Sequence, residues 1–571
     1  MALLCTHQDS TTMRLCLGNK AMGNKIIGNK KIAAIVLGSL MLTACGGESE
    51  DSLPSLYRLG GTVDGLDPHK TVVLNNNDGE NEISIFADGK FTFPEHFYLT
   101  LSYSISVKSQ PQSQRCSVAH GKGNLSRGSV FNVQVICRNS GILDTSFDKD
   151  GIFVHHADAG GDGDNEGHAL GLDTSERILV TGYSLNVSGK KVMNIWRYDP
   201  IGTYSNWQPA GGLGDDDEGH AIILDTEEKI LVTGDSLKTA GNQDMILWRY
   251  KPDVTLDTSF DTDGIVVYDN VAGGSGVNVG LSMAQDAAGK ILVTGYSQKI
   301  SGDSDMTIWR YNPDGTLDIS FDTDGVVVDN GAAGSGVVVG QSMALDADGK
   351  ILVTGYSVNI SSNKDMVIWR FNTDGKLDTS FGTYGIVVHD NAAGGSGDDE
   401  GLSIISAVTS ETTAEISVTG YSVNISSNKD MVIWRYDQDG KLDTSFGTNG
   451  IVVHDGAAGG TGDDEGRSLA LGIDGEVLVT GYSLNAPVGQ SVLGNRDMVI
   501  WRYDTHGKLD TNFDTDGIVI HNSAAGGDGD DEGQSLMLDR NGKIMVTGYS
   551  YNASGNNASG NKDMVIWRYN P

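Results

Sequence analysis

Residues 430–455 read DMVIWRYDQDGKLDTSFGTNGIVVHD, and this stretch decides the fold because most of it is written again elsewhere in the chain. The WR(Y/F) triplet occurs seven times, with its tryptophan at Trp196, Trp248, Trp309, Trp369, Trp434, Trp501 and Trp567; only Trp207 stands outside the series. Around each triplet the same order of segments returns: an apolar run such as SLALG, a turn, KILVTGYS, a variable polar loop, DMVIWRY, then DGKLDTSFGTNG and a closing GIVVHD. Self-similarity of this kind marks stacked units, none of which can bury its apolar faces alone.

Each run is short, rich in Val, Ile, Tyr and Trp, and bounded by Gly, Asp and Asn, which is the signature of strands. No long stretch follows a helical period. Four strands per unit, with tryptophans 52 to 67 residues apart, predict an all-β fold: a seven-bladed β-propeller of four-stranded blades over residues 141–571. The repeat region opens with LDTSFDKDGIFVHH (Leu143 to His156), the late part of a unit, and stops at WRYNP, which lacks that part. Gly151 to His155 is therefore expected to supply the outermost strand of the last blade, leaving no open edge. One unit lacks LDTSF and carries IGTYSNWQPAGGLGDDDE instead, so its outer strand should be short or distorted.

The pattern GKILVTGYS followed by WRYNPDGTLDTSFDTDG resembles the delta-60 repeat family of bacterial secreted proteins. The resemblance covers roughly residues 141–571 and implies a propeller-like domain without an established activity.

The front of the chain has a different texture. KIIGNKKIAAIVLGSLMLTAC (residues 25–45) is a basic segment, an apolar run and small residues before a cysteine, the layout of an export signal. Leu42, Thr43, Ala44 and Cys45 resemble the bacterial lipobox, which implies a signal peptide over residues 1–44 and lipid attached to Cys45. The alternative is a single retained membrane helix. Gly46 after the cysteine, by resemblance to lipoprotein sorting rules, implies the outer membrane of a Gram-negative cell, facing either periplasm or exterior. Met22 is a plausible initiator.

Residues 45–56 read as a flexible tether. Residues 57–139 hold alternating runs such as TVVL, EISIF and VFNVQVIC between Gly- and Asn-rich turns, which predicts a small β-sandwich. It resembles the Ig-like module that follows the anchor in bacterial lipoproteins. Cys116 and Cys137 are the other cysteines of the mature chain, and in an exported protein a disulfide between them is expected; a metal site would need further ligands nearby.

The formal charge is −35 for 40 Lys and Arg against 75 Asp and Glu, and loss of residues 1–44 takes it to about −39. Such a chain does not bind nucleic acid through a basic patch, and a monomer anchored to the membrane by lipid is expected.

The repeats sort the loops onto two faces. Nearly constant DGK turns and DGKLDTSFGTNG connections lie on one, where Asp and Gly are turn chemistry. Divergent loops such as QKISGDS, NAPVGQSVLGNR and NASGNNASGNK lie on the other, with the links between blades. The long loops at 486–496 and 551–562 are the expected footprint of a partner.

Five links are acidic: Asp162, Asp164 and Glu166; Asp215, Asp216, Asp217 and Glu218; Asp398, Asp399 and Glu400; Asp463, Asp464 and Glu465; and Asp530, Asp531 and Glu532. The other two read SGVNVG and SGVVVG (275–280 and 335–340). Clustered carboxylates with Gly-rich backbone make a candidate Ca²⁺ rim around the mouth of the central channel, although no loop has EF-hand spacing. The reading set against it is that they are solvated connections that keep the protein soluble.

His155, His389, His454 and His521 recur at one position of the outer strand, on different blades, and are expected to be surface polar residues. The WRY tryptophans should pack between blades, and the arginine should pair with the Asp of LDTSF. No nucleophile elbow, helical His pair or phosphate loop is present. The expected role is a non-catalytic binding or structural scaffold that presents its variable face to a protein, glycan or cation. The alternative is a polysaccharide hydrolase or lyase acting on extracellular glycans, with carboxylate pairs such as Asp463 and Glu465 as acid and base.

Overall fold

In the computed structural model the repeated runs form seven four-stranded antiparallel sheets, numbered here one to seven in chain order. The structure describes residues 56–571 apart from 78–80, 99–101, 126–127, 157–159, 210–215, 238–242, 269–275, 300, 330, 333, 335, 411–412, 486–493 and 553–559. The expected signal peptide, Cys45 and most of the tether lie outside the described residues. No helix occurs among those described.

Sheet six shows the plan. Asp464–Leu471 pairs with Val477–Asn485, that with Asn495–Tyr503, and that with Ile518–His521. The first strands of sheets one to seven begin at Gly160, Asp216, Asn278, Val338, Gly394, Asp464 and Gly526. Consecutive first strands lie against each other, and that of sheet seven also lies against that of sheet one. The fourth strand of sheet seven comes from far upstream: Ile152–His155 pairs with Lys562–Tyr569, Ile152 opposite Trp567 and His155 opposite Met564. The outer strand of the unit without LDTSF is not short. Tyr204–Pro209 has six residues against four in the other sheets, with one register shift at its start, because a tight turn at Asp199–Gly202 feeds the chain directly into pairing.

The seven tryptophans are fully buried, at 0% exposure, and each belongs to a cluster shared by two sheets. Trp501 packs with Met431, Ile433 and Phe446 of the preceding sheet, and Trp196 of sheet one with Met545, Met564 and Ile566 of sheet seven. The neighbouring arginine pairs with the Asp of LDTSF: Arg435 Nε donates to Asp443 Oδ2 at 2.8 Å and its guanidinium lies over the buried Phe446 ring. Its Nη1 donates to the Thr505 carbonyl oxygen of the next sheet's turn, so the triplet fastens one unit to the following one.

The recurring histidines are not surface residues. His155, His389 and His454 tuck between sheets, with Nδ1 3.0 to 3.4 Å from Tyr198, Tyr436 and Tyr503 Oη of the next sheet, and His521 faces Trp567. Their position at the end of a short fourth strand places them over the neighbouring tryptophan.

Residues 56–139 form two four-stranded sheets, one containing Leu59–Asp64, Gly89–Thr92, Gln114–Ala119 and Val130–Asn139, the other Val72–Asn76, Asn81–Ile85, Ser102–Ser109 and Lys122–Asn124. A single core that includes Leu59, Leu74, Phe91, Phe93, Ile105 and Val133 fills the space between them. Cys116 and Cys137 stand directly opposite on adjacent antiparallel strands and are joined as a disulfide. Arg115 Nη2 donates to Asp474 Oδ2 at 2.7 Å, and Nη1 to Glu476, on the first turn of sheet six.

Trp434→Ala should lower the unfolding free energy by about 3–5 kcal/mol, because it empties the interface between two sheets. Urea unfolding followed by fluorescence measures it, and an unchanged midpoint would remove the interface role.

Candidate functional site

The acidic links are built into the ends of the first strands, and each of their three positions has its own task. The first is a staple. Asp216, Asp398, Asp463, Asp530 and Asp164 each accept, through Oδ1, the backbone N–H of Lys191, Lys364, Lys429, Arg496 and Lys562, the first or second residue of the third strand of the preceding sheet. Asp164, on sheet one, takes its donor from sheet seven.

The second position turns inward. Asp399, Asp464 and Asp531 are buried and accept two backbone N–H groups each: Asn391 and Ala392, Gly456 and Ala457, Ser523 and Ala524. Burial pushes each of these carboxyls up to about 6, against the pull of those hydrogen bonds. Asp217 occupies the same position and is also buried.

The third position is the glutamate. Glu166, Glu400 and Glu465 meet Lys562, Lys364 and Lys429 Nζ at 2.6 to 2.7 Å, while Glu218 meets Lys191 and Glu532 meets Arg496. Each cation also lies over a tyrosine ring of its own sheet, as Lys429 does 3.8 Å from the centroid of Tyr421. Where the links read SGVNVG and SGVVVG, the third strands facing them open at Gln243 and Ser304. Acid and base are thus present together or absent together across every one of the seven junctions. The described carboxylates of the candidate Ca²⁺ rim accordingly have protein partners; Asp162 and Asp215 lie outside the residues whose side chains are described.

The residue after the Glu–Gly pair, or after Val–Gly in sheets three and four, is the extra residue of a β-bulge in all seven sheets: His168, His220, Leu281, Gln341, Leu402, Arg467 and Gln534. A bulge re-aims one side chain out of the regular pleat. The bulge is fixed by glycine: a Cβ on Gly481 of the second strand would collide with the Glu465 carbonyl oxygen, and one on Gly466 with Thr419 Oγ1 of the preceding sheet. Neighbouring bulge residues therefore come together. Arg467 Nη1 donates to Gln534 Oε1 at 2.9 Å, and Gln341 Nε2 to Glu400 Oε1 at 2.7 Å.

One junction brings two histidines together. Sheets one and two carry histidine at the bulge, and the two imidazoles stack with centroids 5.6 Å apart and planes 8° from parallel. His168 Nε2 lies between two carboxylates, 3.7 Å from Glu166 Oε2 and 3.5 Å from Glu218 Oε1, and its Nδ1 is 3.2 Å from the Gly219 carbonyl oxygen. His220 Nε2 is 2.7 Å from Asp235 Oδ1, and Asp235 Oδ2 accepts Gln243 Nε2 at 2.9 Å. Asp235 itself breaks the repeat: its column holds Tyr183, Tyr296, Tyr356, Tyr421, Tyr482 and Tyr549 in the other six VTGYS strands. One ring nitrogen of each histidine and one oxygen of Glu218 lie within 4.8 Å of one another.

Burial alone would raise Glu166 and Glu218, but the His168 ring and the lysines hold both below the ordinary glutamate value, Glu166 far below it. Burial works to lower His220, yet Asp235 and Glu218 outweigh it and leave it raised. Tyr183 donates to Glu166 Oε1 at 2.6 Å, and burial with that carboxylate keeps its phenol protonated. The arrangement sets carboxylate, imidazole and phenol side by side, with the side chains of His168, Glu218 and His220 still 15 to 19% exposed. Sequence reading centred on what recurs passes over these residues; the signal was the GHA in place of GLS or GQS, and GDS in place of GYS.

Because the folded pKa of Asp464 is raised, its contribution to stability is complete below about pH 4 and is lost as pH rises through about 6. The stability difference between the wild type and Asp464→Asn should therefore grow by about 1 kcal/mol from about pH 7 to about pH 5. His389, His454 and His521, lowered by burial, act oppositely in that window and cancel in the comparison. Urea titrations at the two pH values read the difference, and a gap independent of pH would reject the raised carboxyl.

Residues 229–260, 289–321, 347–381 and 415–446 match the family described as "Domain of unknown function (DUF5122) beta-propeller". No curated protein matches the chain. Among solved structures it is similar to a putative oxidoreductase (glucose dehydrogenase) from Thermus thermophilus, at 11% identity over 73% of this chain and 99% of that one, TM-score 0.33. It is also similar to a gluconolactonase from Xanthomonas campestris, at 10% identity over 73% and 94%, TM-score 0.31. A third is a PL25 ulvan lyase, at 11% identity over 63% and 78%, TM-score 0.35. These neighbours are described as enzymes, which stands against the expectation of a non-catalytic scaffold and on the side of its polysaccharide-cleaving alternative, while the likeness itself shows no more than the fold. At such scores no residue role passes from them to this chain. The four matched stretches and the four-stranded sheets make the chain a β-propeller repeat protein.

Proposed function

We propose that the chain is a glycan-cleaving enzyme, a hydrolase or lyase of extracellular polysaccharide, whose reacting groups are Glu166, His168, Glu218 and His220. The observation that carries the proposal is the position of His168 between two carboxylates and against His220, at the one junction of the seven where both bulge residues are imidazoles. Cleaving a glycosidic bond requires one group that gives a proton to the leaving oxygen and another that takes one from water or from the sugar. Side chains repeated identically at every junction cannot divide that work; this cluster can, and it is open to solvent.

The architecture that serves this reading is a closed ring of seven blades, with the bulge residues lining the mouth of its channel. It is supported by the strand Ile152–His155 on sheet seven, by Lys562 of sheet seven on Asp164 and Glu166 of sheet one, and by the core that Trp196 shares with Met564. A lipid on Cys45 would hold the enzyme at the outer membrane, where polysaccharide is the polymer within reach.

Incubation with a panel of acidic and neutral polysaccharides should release new reducing ends or unsaturated sugars from at least one. His168→Gln and His220→Gln should lower the rate at least 100-fold with unchanged melting temperature, while Leu402→Gln, at the same bulge of sheet five, should retain it. Cleavage that survives both histidine substitutions would defeat the assignment of the site, and a silent panel would defeat the glycan reading.

A further inference from the structure

We propose that His168, Glu218 and His220 form a binding site for one divalent transition-metal ion of the zinc class. The inference rests on the cluster described above and deepens the reading of it as a reacting centre.

Three donor atoms, two imidazole nitrogens and a carboxylate oxygen, already lie within 4.8 Å of one another, and His168 Nε2 is 3.5 Å from Glu218 Oε1. A tetrahedral ion with bonds of about 2.0–2.1 Å sets its donors about 3.3 Å apart. The side chains need to draw in by about 1.5 Å at most, which rotation about χ angles supplies. Two imidazoles with one carboxylate leave a fourth position for water or substrate, the arrangement of catalytic rather than structural zinc. Imidazole is a poor ligand for Ca²⁺ and a good one for Zn²⁺, Ni²⁺ and Cu²⁺, so the ion differs in class from the one that the acidic rim would hold.

The surroundings supply the second, independent observation. Histidines that ligate metals hold their outer nitrogen on a carbonyl or carboxylate, which fixes the ring and its tautomer. His168 places Nδ1 on the Gly219 carbonyl oxygen, leaving Nε2 toward Glu218. His220 places Nε2 on Asp235, leaving Nδ1, and Asp235 is in turn held by Gln243. Asp235 is the one departure from tyrosine in its column, and it contacts one of the two histidines of the bulge column. A histidine–aspartate pair by itself accounts for His220 but gives no reason for His168 to stand beside it. Lys191 takes Glu218 Oε2 and leaves Oε1 on the side of His168, so the carboxylate is set for one bond to the ion.

The test uses the purified full chain, stripped with chelator and titrated with Zn²⁺ by calorimetry, with Co²⁺ as a spectroscopic probe. One ion per chain should bind at micromolar Kd or tighter, Co²⁺ should give the visible bands of a tetrahedral site with imidazole ligands, and Zn²⁺ should raise the melting temperature. His168→Gln and His220→Gln should abolish the spectrum. Glutamine occupies the same bulge at Gln341 and Gln534, so both variants are expected to fold, which their melting temperature in chelator verifies. Asp235→Asn should weaken binding about 10- to 100-fold while keeping the stoichiometry, and Asp463→Asn should leave it unchanged. Binding no tighter than millimolar, or binding untouched by His168→Gln, would overturn the site. Stoichiometric metal in a protein that cleaves no glycan would support the site and defeat the reading of its substrate; cleavage that survives chelation in a protein without metal would do the reverse.

Discussion

Each four-stranded sheet of this protein has apolar side chains on both faces and no core of its own, so the structure depends on burying every face against the next sheet. The distance at which that happens is set where the first strands converge. There a methyl group in place of a hydrogen is too much: Gly466 faces Thr419 of the preceding sheet at a separation that leaves no room for a Cβ. Farther out the gap widens and is filled by tryptophan, methionine and phenylalanine, as Trp501, Met431 and Phe446 fill it between sheets five and six. The taper from glycine to tryptophan along the radius is a packing requirement before it is a sequence motif.

Much of this was legible in the sequence because the requirement is the same at every junction. A motif repeated seven times reveals what each unit needs, and the reading of WRY as packing, of its arginine as the partner of LDTSF, and of the upstream strand on the last sheet follows from that. The acidic links were harder to read. GDDEG is local in sequence, but its partners, such as Lys429 for Asp463 and Glu465, open a strand of the previous unit some thirty residues away. Comparing units along columns shows that the lysine and the acids vanish together at Gln243 and Ser304, a correlation that counting carboxylates does not reveal.

The histidine cluster was missed for the opposite reason. His168, His220 and Asp235 are informative because they fail to repeat, and each alone is an unremarkable polar residue within a strand. Only the bulge, which swings the side chain after Glu and Gly out of the pleat, makes neighbours of residues 52 apart. The outer histidines erred the other way. Residues such as His389, at the end of a four-residue strand, read as surface, and the curvature of the stack lays them on the tyrosine and tryptophan of the next sheet.

The strand Ile152–His155 has a further consequence for how the molecule comes to exist. It is made before any of the seven tryptophan strands, yet its place is beside Lys562–Tyr569, among the last residues of the chain. During synthesis it waits unpaired while the intervening repeats are made, and a partial stack of sheets carries an open edge at each end. The loop to be closed is more than four hundred residues long, but closure entropy grows only logarithmically with length, so the delay is a matter of waiting rather than of free energy. Until then two strand margins able to pair with other chains stay open, and they are covered only when the oldest repeat strand meets the youngest.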